Sequence, residues 1–462
     1  MTAMETENPS RVVVLGGGFA GLAAVRELER LHSPVPLEIT LVNRQNFSLF
    51  TPMLHEVAAS DLDLTHIVNP IRKLTRRAAL LVGEVERIDL ERRAVVVSHG
   101  ESVHKHEVEY DHLVLALGGT TNFYGVPGVS EHALTMKTLG DAIRLRNRLI
   151  AHLEQADAEC FCDFRQSLLT FVIAGAGFAG VETAAAVNDF VRGALKYYRN
   201  LRSNDIRIVL VHAGPLVLPE LAEGLGRYAQ VKLAERGVEI VLRTTVTSYD
   251  GDVAQLSDGR AIPARTLVWT AGSAAHPLVS GLPCATDGGR IVANDFFQVA
   301  DWPGVWALGD CAAVRDPATG RPYPPTAQHA VRQGRLLARN LVASLRGAAM
   351  QPFRYSTLGQ LAAIGRRAGV ANVLGINFSG FPAWFLWRSI YLGKLPRLEK
   401  KLRVMLDWTL DLLFDKDLVQ FETRRETGVM NVGVASAAAI RDEAAVADAT
   451  MVADTRRIAQ PV

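Results

Sequence analysis

Two glycine-rich segments have the residue types and spacing to bind a dinucleotide. The sequences GGGFAG (residues 16–21) and GAGFAG (residues 175–180) each follow a short apolar run and precede an apolar pattern with helical spacing. In such a unit the first glycine permits a tight turn, the second lets the backbone approach a pyrophosphate, and the third lets the helix pack on the strand. The phosphates then lie at the positive end of the helix. The repeated pattern predicts two dinucleotide sites in one chain.

The second strand of each unit ends without the carboxylate that commonly binds the adenosine ribose. EITLV (residues 38–42) is followed by Asn43, and IRIVLV (residues 206–211) is followed by His212. Asn43 can still hydrogen-bond a hydroxyl group, with less charge assistance than a carboxylate has. His212 is open between a cofactor contact and an ordinary surface histidine. Without a carboxylate there, nothing repels a 2′-phosphate, so NADH and NADPH both stay open as donors.

The composition is that of an ordinary folded globular protein. The chain has 462 residues, of which 48% are hydrophobic and 21% charged, which excludes disordered, collagen-like and coiled-coil chains. The formal net charge of +2 gives no field that favours nucleic acid, so we expect no nucleic-acid partner. Four cysteines are too few for a disulfide scaffold, and no clustering of ligand residues predicts a metal site. We also expect no targeting segment and no transmembrane helix.

Three further segments sharpen the fold prediction: HLVLALGG (residues 112–119), LVWTAG (267–272) and VWALGD (305–310), in which Asp310 can accept hydrogen bonds from a flavin's ribityl chain. With the two glycine turns they resemble flavoproteins with two dinucleotide-binding domains. That resemblance implies an α/β fold of two Rossmann-type domains, similar to glutathione reductase, with the NAD domain inserted into a discontinuous FAD domain. We expect FAD-binding parts at 10–125 and 286–350, an NAD(P)H-binding domain at 126–285, a membrane-association region at 351–432 and a tail at 433–462.

Longer segments resemble type II NADH dehydrogenases: LVNRQNFSLFTPMLHEVA (residues 41–58), GAGFAGVE (175–182), PPTAQHAVRQG (324–334), YSTLGQLAAIGRRAGV (355–370) and AWFLWRSIYLGKL (383–395). The resemblance implies a single-subunit enzyme that passes a hydride from NADH to FAD and then reduces a membrane quinone by two electrons, without pumping protons. It also implies a homodimer and a peripheral position on the cytoplasmic face of the cell membrane.

One position departs from that family's quinone-site pattern, AQxAxQ. Ala327, Gln328 and Ala330 match it, but Arg332 stands at the last position. Gln333 follows about 100° further around a helix, so it is not a simple substitute. Arg332 could instead donate to a quinone carbonyl, and its presence leaves the type of quinone open.

Two other functions stay open at this point. One is another FAD-dependent NAD(P)H or sulfide:quinone oxidoreductase, and the other is a flavin-binding redox sensor with an impaired acceptor site. Sulfide:quinone reductases use cysteines beside the flavin, whereas the four cysteines here do not fit that arrangement and are interpreted as buried or idle thiols. They are Cys160, Cys162, Cys284 and Cys311.

The resemblance also assigns residues to the site. Glu182, predicted as catalytic, would lie by the nicotinamide, although a first-turn glutamate favoured by the helix dipole is the alternative. Gln328, the other predicted catalytic residue, would line the flavin and quinone pocket together with Arg332. His55 and Glu56 are open between an acid–base pair and a loop-to-helix junction, and neither is assigned as catalytic. The predicted FAD-binding residues are Gly16, Gly18, Phe19, Ala20, Gly21, Asn43, Arg44, Thr51, Pro52, Ala116, Gly118, Asp310, Ala327 and Gln328. The predicted NAD-binding residues are Gly175, Gly177, Phe178, Ala179, Gly180, Glu182, His212, Ala271 and Gly272.

The chain beyond Phe378 is rich in aromatic and basic residues, and Pro396 divides it into two predicted helices. In the second helix an apolar face lies opposite polar residues, which is typical of a helix in the membrane interface. A helix that closes the core or a dimer contact is the alternative. The apolar face comprises Leu398, Leu402, Met405, Leu406, Thr409, Leu410 and Leu413, and the polar residues are Lys400, Arg403 and Asp407. Residues 434–462 predict only a weak terminal helix or a mobile tail without an assigned function.

Overall fold

A buried parallel sheet organises the first part of the chain. The computed structural model describes residues 8–100 and 104–421. Because RVVVL is apolar and β-branched, it forms a central strand that is buried from Val12 to Leu15, and GGGFAG then turns the chain into a helix. The elements of residues 8–125 are β1 (Ser10–Leu15), α1 (Phe19–Leu28), β2 (Leu37–Asn43), β3 (Phe47–Leu49), α2 (Leu54–Ala58), β4 (Val68–Pro70), β5 (Ala79–Val82), β6 (Glu84–Asp89), β7 (Ala94–His99), β8 (His104–Glu109), β9 (His112–Leu115) and β10 (Gly119–Thr121).

A second parallel sheet is built from residues 126–285 in the same way. The apolar run TFVIA forms its fully buried central strand, and GAGFAG leads into a long helix. The elements are α3 (Val129–His132), β11 (Leu134–Thr135), α4 (Leu139–Ala158), α5 (Cys162–Leu168), β12 (Thr170–Ala174), α6 (Phe178–Ala194), β13 (Arg207–His212), α7 (Glu223–Glu235), β14 (Val238–Leu242), β15 (Val246–Tyr249), β16 (Val253–Leu256), β17 (Ala261–Pro263), β18 (Thr266–Trp269), β19 (Ser273–Ala275) and α8 (Pro277–Ser280).

The chain then returns to the first sheet before forming a C-terminal region. The remaining elements are β20 (Thr286–Asp287), β21 (Arg290–Ala293), β22 (Val305–Ala307), β23 (Ala312–Val314), α9 (Ala327–Leu345), β24 (Gly359–Ala363), β25 (Gly369–Val373), β26 (Ile376–Gly380), α10 (Phe381–Lys394) and α11 (Leu398–Leu413). The antiparallel sheet β24–β25–β26 was not predicted from the sequence, whereas the break between α10 and α11 falls at Pro396, as expected.

The strand order confirms the predicted fold class. The first sheet has the order β22–β9–β1–β2–β5 and the second has the order β11–β18–β12–β13–β14, with parallel pairing throughout. Because β22 lies after the second sheet in sequence, the first sheet is discontinuous, as an inserted domain requires. The exact domain boundaries stay predictions. The end of the membrane-association region, 422–432, and the tail lie outside the described residues.

The two sheets share one compact unit, residues 8–419, and of the second unit, residues 420–462, only 420 and 421 are described. The contact of α1 with α9 is very close, because a Cβ built on Gly334 would lie 2.3 Å from the carbonyl oxygen of Ala20. Within residues 8–100 and 104–421, no helix has both the length and the apolar composition of a membrane span.

Candidate active site

The first glycine turn leaves no room for side chains at its first and third glycines. Gly16 has a φ of +103°, and a Cβ built on it would lie 2.3 Å from the carbonyl oxygen of Ala116. A Cβ on Gly21 would lie 2.0 Å from the carbonyl oxygen of Gly16. At Gly18, the N-cap of α1, a Cβ would meet no atom of the described residues within 4 Å, and no side chain caps the helix there. The open side of this turn, with its uncapped N–H groups, therefore fits a pyrophosphate.

Asn43, which the sequence predicts as a ribose contact, also braces this turn. Its Oδ1 accepts a hydrogen bond of 2.8 Å from the Gly17 N–H, and its Nδ2 donates to the carbonyl oxygen of Gln45 at 2.6 Å. The neighbouring Arg44 is exposed and lies 3.8 Å from a carboxylate oxygen of Glu84. Asn43 therefore fixes the glycine turn through contacts that the sequence did not suggest.

The other predicted FAD residues lie at the ends of elements, and Asp310 is the most informative of them. Burial raises the pKa of its carboxyl group. A Cβ on Gly119 would lie 3.6 Å from the Cβ of Asp310, so the carboxylate stands beside the loop after β9. Gln333 accepts a 2.8 Å hydrogen bond from Gly309 and joins α9 to this turn. Phe19 and Ala20 begin α1, Thr51 and Pro52 lie in a 3₁₀ turn before α2, Ala116 and Gly118 follow β9, and Ala327 begins α9.

The second glycine turn has the same construction. Gly175 has a φ of +100°, and a Cβ on it would lie 2.8 Å from the Ala271 nitrogen. A Cβ on Gly180 would lie 1.7 Å from the carbonyl oxygen of Gly175. Gly177 is the N-cap of α6 without a side-chain cap from the described residues. The predicted residues Phe178 and Ala179 begin α6, and Gly272 follows Ala271 after β18. This turn also fits a pyrophosphate.

His212 is not the plain surface histidine that the sequence left open. It ends β13, and its Nδ1 lies 3.3 Å from the Ala176 nitrogen, as the acceptor of that N–H. A Cβ on Gly214 would lie 2.7 Å from its Nε2, so the ring packs against the backbone there. Burial lowers the pKa of His212, which favours the neutral imidazole at neutral pH. A neutral His212 supplies no positive charge for a 2′-phosphate.

Glu182 lies where α6, α2, β24 and α10 meet. The residue is 8% exposed, and its Oε1 accepts hydrogen bonds from the Ala363 N–H at 3.2 Å and from Trp387 Nε1 at 3.0 Å. Oε2 lies 3.7 Å from His55 Nδ1. Burial raises the pKa of Glu182 to about 8, although both hydrogen bonds oppose the shift. Glu182 can therefore hold a proton near neutral pH, which a first-turn glutamate in solvent could not.

His55 and Glu56 form no capped loop-to-helix junction, because both side chains are buried and α2 has no side-chain cap among the described residues. Burial lowers the pKa of His55 to about 3 and raises the pKa of Glu56 to about 8. Glu56 accepts a 3.1 Å hydrogen bond from Trp408 Nε1. Trp387 and Trp408 belong to the aromatic and basic part of the chain beyond Phe378, which the sequence assigns to the membrane interface. No local sequence pattern connects these two tryptophans with glutamates that are distant in the chain.

Gln328 and Arg332 lie on the first turns of α9 against Tyr355. The Tyr355 hydroxyl donates to Gln328 Oε1 at 2.8 Å, and Gln328 Nε2 donates to the carbonyl oxygen of Gly359 at 3.2 Å. Arg332 donates to the Gln328 carbonyl oxygen at 3.0 Å, and its guanidinium lies 4.2 Å from the centre of the Tyr355 ring. Arg332 is thus held in a fixed place beside Gln328.

The sequence predicts that the four cysteines are buried or idle thiols, and the structure shows how far each of them is buried. Cys160 and Cys162 are exposed, Cys284 is half-buried and Cys311 is buried, and all four are free. Burial raises the pKa of Cys311 to about 11, so this thiol is a poor nucleophile at neutral pH. Among the described residues no group of three or more histidine, cysteine, aspartate or glutamate side chains is arranged to hold a metal ion.

Two parallel sheets, each with an uncapped glycine turn at a helix N-terminus, define a flavin- and pyridine-nucleotide-dependent oxidoreductase. The sequence model of the pyridine nucleotide-disulphide oxidoreductase family matches residues 10–334, and that of the NDH2 C-terminal domain matches residues 358–417.

Curated relatives give the same assignment. The chain is 33% identical over 420 residues to the type II NADH:quinone oxidoreductase Ndh of Mycobacterium tuberculosis, covering 87% of this chain and 88% of that protein. It is 32% identical to the demethylphylloquinone reductase of Synechocystis, covering 87% of this chain and 96% of that protein. A solved structure of NDH2 from Plasmodium falciparum in complex with NADH shares the fold, with a TM-score of 0.83 at 17% identity over 89% of this chain and 100% of that one.

The chain belongs to the type II NADH dehydrogenase family. It is an FAD-dependent oxidoreductase, and its cofactors are FAD and NADH.

Proposed function

We propose that this chain oxidises NADH, with FAD as its bound redox cofactor, and reduces a membrane quinone by two electrons without pumping protons. The observation that carries this proposal is the pair of glycine turns with uncapped helix N-termini in two parallel sheets. Quinone as the acceptor is supported by relatives that are named NADH:quinone oxidoreductase and demethylphylloquinone reductase.

Bound FAD supplies a redox centre that accepts a hydride and releases two electrons to an acceptor. The chain's own residues would bind, orient and exclude water. The turn at residues 16–21 would hold FAD and the turn at 175–180 would hold NADH, each through backbone N–H groups. We assign Glu182 to the nicotinamide side of the site, where its buried carboxyl group can orient the carboxamide and hold a proton.

We assign the quinone contact to Gln328 and its neighbours. Gln328 and Tyr355 form a hydrogen-bonded pair, and the Arg332 guanidinium lies on the Tyr355 ring. Lys394 of α10 is close enough that burial and the charge of Arg332 lower its pKa. Both cations can donate to quinone oxygens, and Arg332 stands where the AQxAxQ pattern has an uncharged glutamine.

The outward face of α11 supports attachment to a membrane surface. Two of its polar residues turn inward, where Lys400 Nζ donates to the carbonyl oxygen of Thr65 at 2.6 Å and Asp407 Oδ2 lies 2.5 Å from His66 Nδ1, whereas Arg403 is exposed. The leucine and methionine residues of the predicted apolar face are on the outside, with exposed fractions from 42% at Leu410 to 74% at Leu413, whereas Val404 and Trp408 of the same helix are buried. A helix that closed the core would bury this face, so these exposures disfavour that alternative.

Basic residues near this face fit anionic lipid headgroups. Arg397 immediately precedes α11, and Lys401 and Arg403 lie within it. Phe381 and Phe385 of α10 are exposed. Exposed leucine, aromatic and basic side chains together are typical of a helix in the membrane interface. From the family resemblance we further propose that the chain is a homodimer and that it binds the cytoplasmic face of the cell membrane. Protease accessibility in inverted and right-side-out vesicles tests the face, and light scattering tests the dimer.

The function is tested by an anaerobic two-step experiment on the purified holoenzyme. NADH should bleach the flavin absorbance, and a short-chain quinone should then restore it. Bleaching without recovery would refute the quinone step and favour a redox sensor. Bleaching by NADPH but not by NADH would refute NADH as the electron donor. Bleaching by sulfide alone would favour a sulfide:quinone oxidoreductase. A variant with all four cysteines replaced by serine serves as the control, and its turnover should be unchanged.

A further inference from the structure

The proposed reaction needs one proton from solvent in each turnover. NADH delivers a hydride, which carries two electrons and one proton, and a quinol contains two added protons. The balanced reaction is NADH + H⁺ + quinone → NAD⁺ + quinol. Glu182 is buried, so a proton that reaches it from bulk water must pass through the protein. The inference below therefore rests on the proposed function.

A cavity of about 260 Å³ connects Glu182 with residues at the surface. Glu182 and His55 line its inner part, and Lys196 and Asp415 line its outer part, where their side chains are about half exposed. A cavity of this size, whose lining includes carboxylates, guanidinium groups and two ammonium groups, can hold several hydrogen-bonded waters. Such waters conduct protons when a titratable group lies along the path.

Glu56 is such a group within this cavity. The residue is 6% exposed, and its Oε2 accepts a hydrogen bond from Trp408 Nε1, with 3.1 Å between the two atoms. The charged groups that face it come from three other segments: Arg388 of α10, Asp61 in the loop after α2, and Lys416 after α11. Lys416 is already engaged, because its Nζ lies 2.6 Å from Asp61 Oδ1.

The surroundings of Glu56 have opposing effects on its pKa. The Arg388 guanidinium lies between two indole rings, 4.2 Å from the centre of Trp384 and 4.6 Å from the centre of Trp408. Burial raises the pKa of Glu56 to about 8, and Arg388 opposes the shift. The charge of Glu56 in turn raises the pKa of Glu182, after the larger effect of burial. The two carboxyl groups are therefore coupled, and both exchange a proton near neutral pH.

We propose that Glu56 carries protons between the solvent-facing end of this cavity and Glu182. In each transfer the Glu56 carboxylic acid gives its proton, through cavity water, to the Glu182 carboxylate, and Glu56 then takes a proton from water at the outer end. Glu56 is unchanged after one cycle, and no electron moves. His55 is not the carrier, because burial lowers its pKa to about 3 and the imidazole stays neutral.

The test compares the wild-type holoenzyme with Glu56→Gln, Glu56→Asp and a matched control, Glu27→Gln. Glu27 is 12% exposed, is paired with Arg339 at 2.8 Å and lies on α1 away from the cavity lining. In Glu56→Gln we expect NADH-driven bleaching at the wild-type rate and quinone-driven recovery slowed by about tenfold or more. Glu56→Asp should keep most of the rate, and added formate should partly restore recovery in Glu56→Gln. The control should behave as wild type.

A second readout does not depend on turnover. Infrared titration of the oxidised holoenzyme should show a protonated-carboxyl band that disappears near pH 8, and this band should be weaker in Glu56→Gln and present in Glu56→Asp. Recovery at the wild-type rate in Glu56→Gln would overturn the inference, as would equal slowing of both half-reactions with an unchanged infrared titration. If quinone fails to restore the wild-type flavin absorbance, the proposed function fails instead, which is a distinct result. If Glu56→Gln does not fold, the infrared titration of Glu56→Asp decides, because the band should then disappear at a different pH from that of the wild type, and an unchanged titration would overturn the inference.

Discussion

Replacing Leu402 and Leu406 by glutamine should release the protein from membranes without affecting its chemistry. Both side chains lie on the outward face of α11 and are 53% and 57% exposed. Complete burial of a leucine side chain contributes about 2 kcal/mol, so burying these exposed parts in lipid contributes about 1 kcal/mol each. The double variant should therefore lose about 2 kcal/mol of binding free energy, which corresponds to about 30-fold weaker partition into vesicles.

The assay is co-sedimentation with vesicles that contain anionic lipid. A matched control is Val231→Gln on α7, where the side chain is 55% exposed but far in sequence from the C-terminal helices. The control should bind as wild type does, and all three proteins should reduce a water-soluble short-chain quinone at the same rate. A higher salt concentration should weaken the binding of the wild-type protein to these vesicles, because the basic residues near α11 attract anionic headgroups.

Unchanged vesicle binding of the double variant would refute this reasoning. It would mean that the outward face of α11 contacts something other than lipid, and a second copy of the chain would then be the first partner to examine by light scattering. An equal loss of binding in Val231→Gln would also refute it, because any added glutamine would then have the same effect.

Two further predictions concern the buried site and the second glycine turn. Burial raises the pKa of Glu182 from 4.5 to about 8, so its contribution to stability is complete below the unfolded pKa and is lost as pH rises through about 8. Glu182→Gln lacks this pH-dependent contribution, so its free energy of unfolding relative to wild type should increase by on the order of a few kcal/mol between about pH 5 and about pH 9. The difference in Tm between the two proteins should change in the same direction, and a difference that does not vary with pH would contradict the prediction. Gly180→Ala should abolish NADH binding while FAD stays bound, because the new Cβ would lie 1.7 Å from the carbonyl oxygen of Gly175. Gly193→Ala in the same helix is the control, since its Cβ would meet no described atom within 4 Å, and equal NADH affinity of the two variants in a binding titration would show that the turn is not the site.

The parts that the sequence predicted are those with a local cause. The turns at residues 16–21 and 175–180 follow from glycine spacing between a strand and a helix, and the break between α10 and α11 follows from Pro396. The discontinuous first sheet was predicted from a family resemblance, because nothing in VWALGD itself specifies that β22 pairs with β9.

The sequence could not predict which way α11 faces. Its amphipathic pattern is the same whether the apolar side meets the core or lipid, and the helix is oriented by contacts with residues far away in the chain. Lys400 reaches the carbonyl oxygen of Thr65, and Trp408 reaches Glu56. The sheet β24–β25–β26 was missed for a related reason, since its short strands alternate only weakly.

By itself, the sequence determined where the two glycine turns form, because the requirements of such a turn act within a few residues along the backbone. Only the tertiary structure decided the protonation of Glu182 and Glu56. Their pKa values depend on burial by α10, α11 and β24, and these elements come from a part of the chain that is distant in sequence. A carboxyl group's desolvation is a property of everything packed around it, which local spacing does not contain.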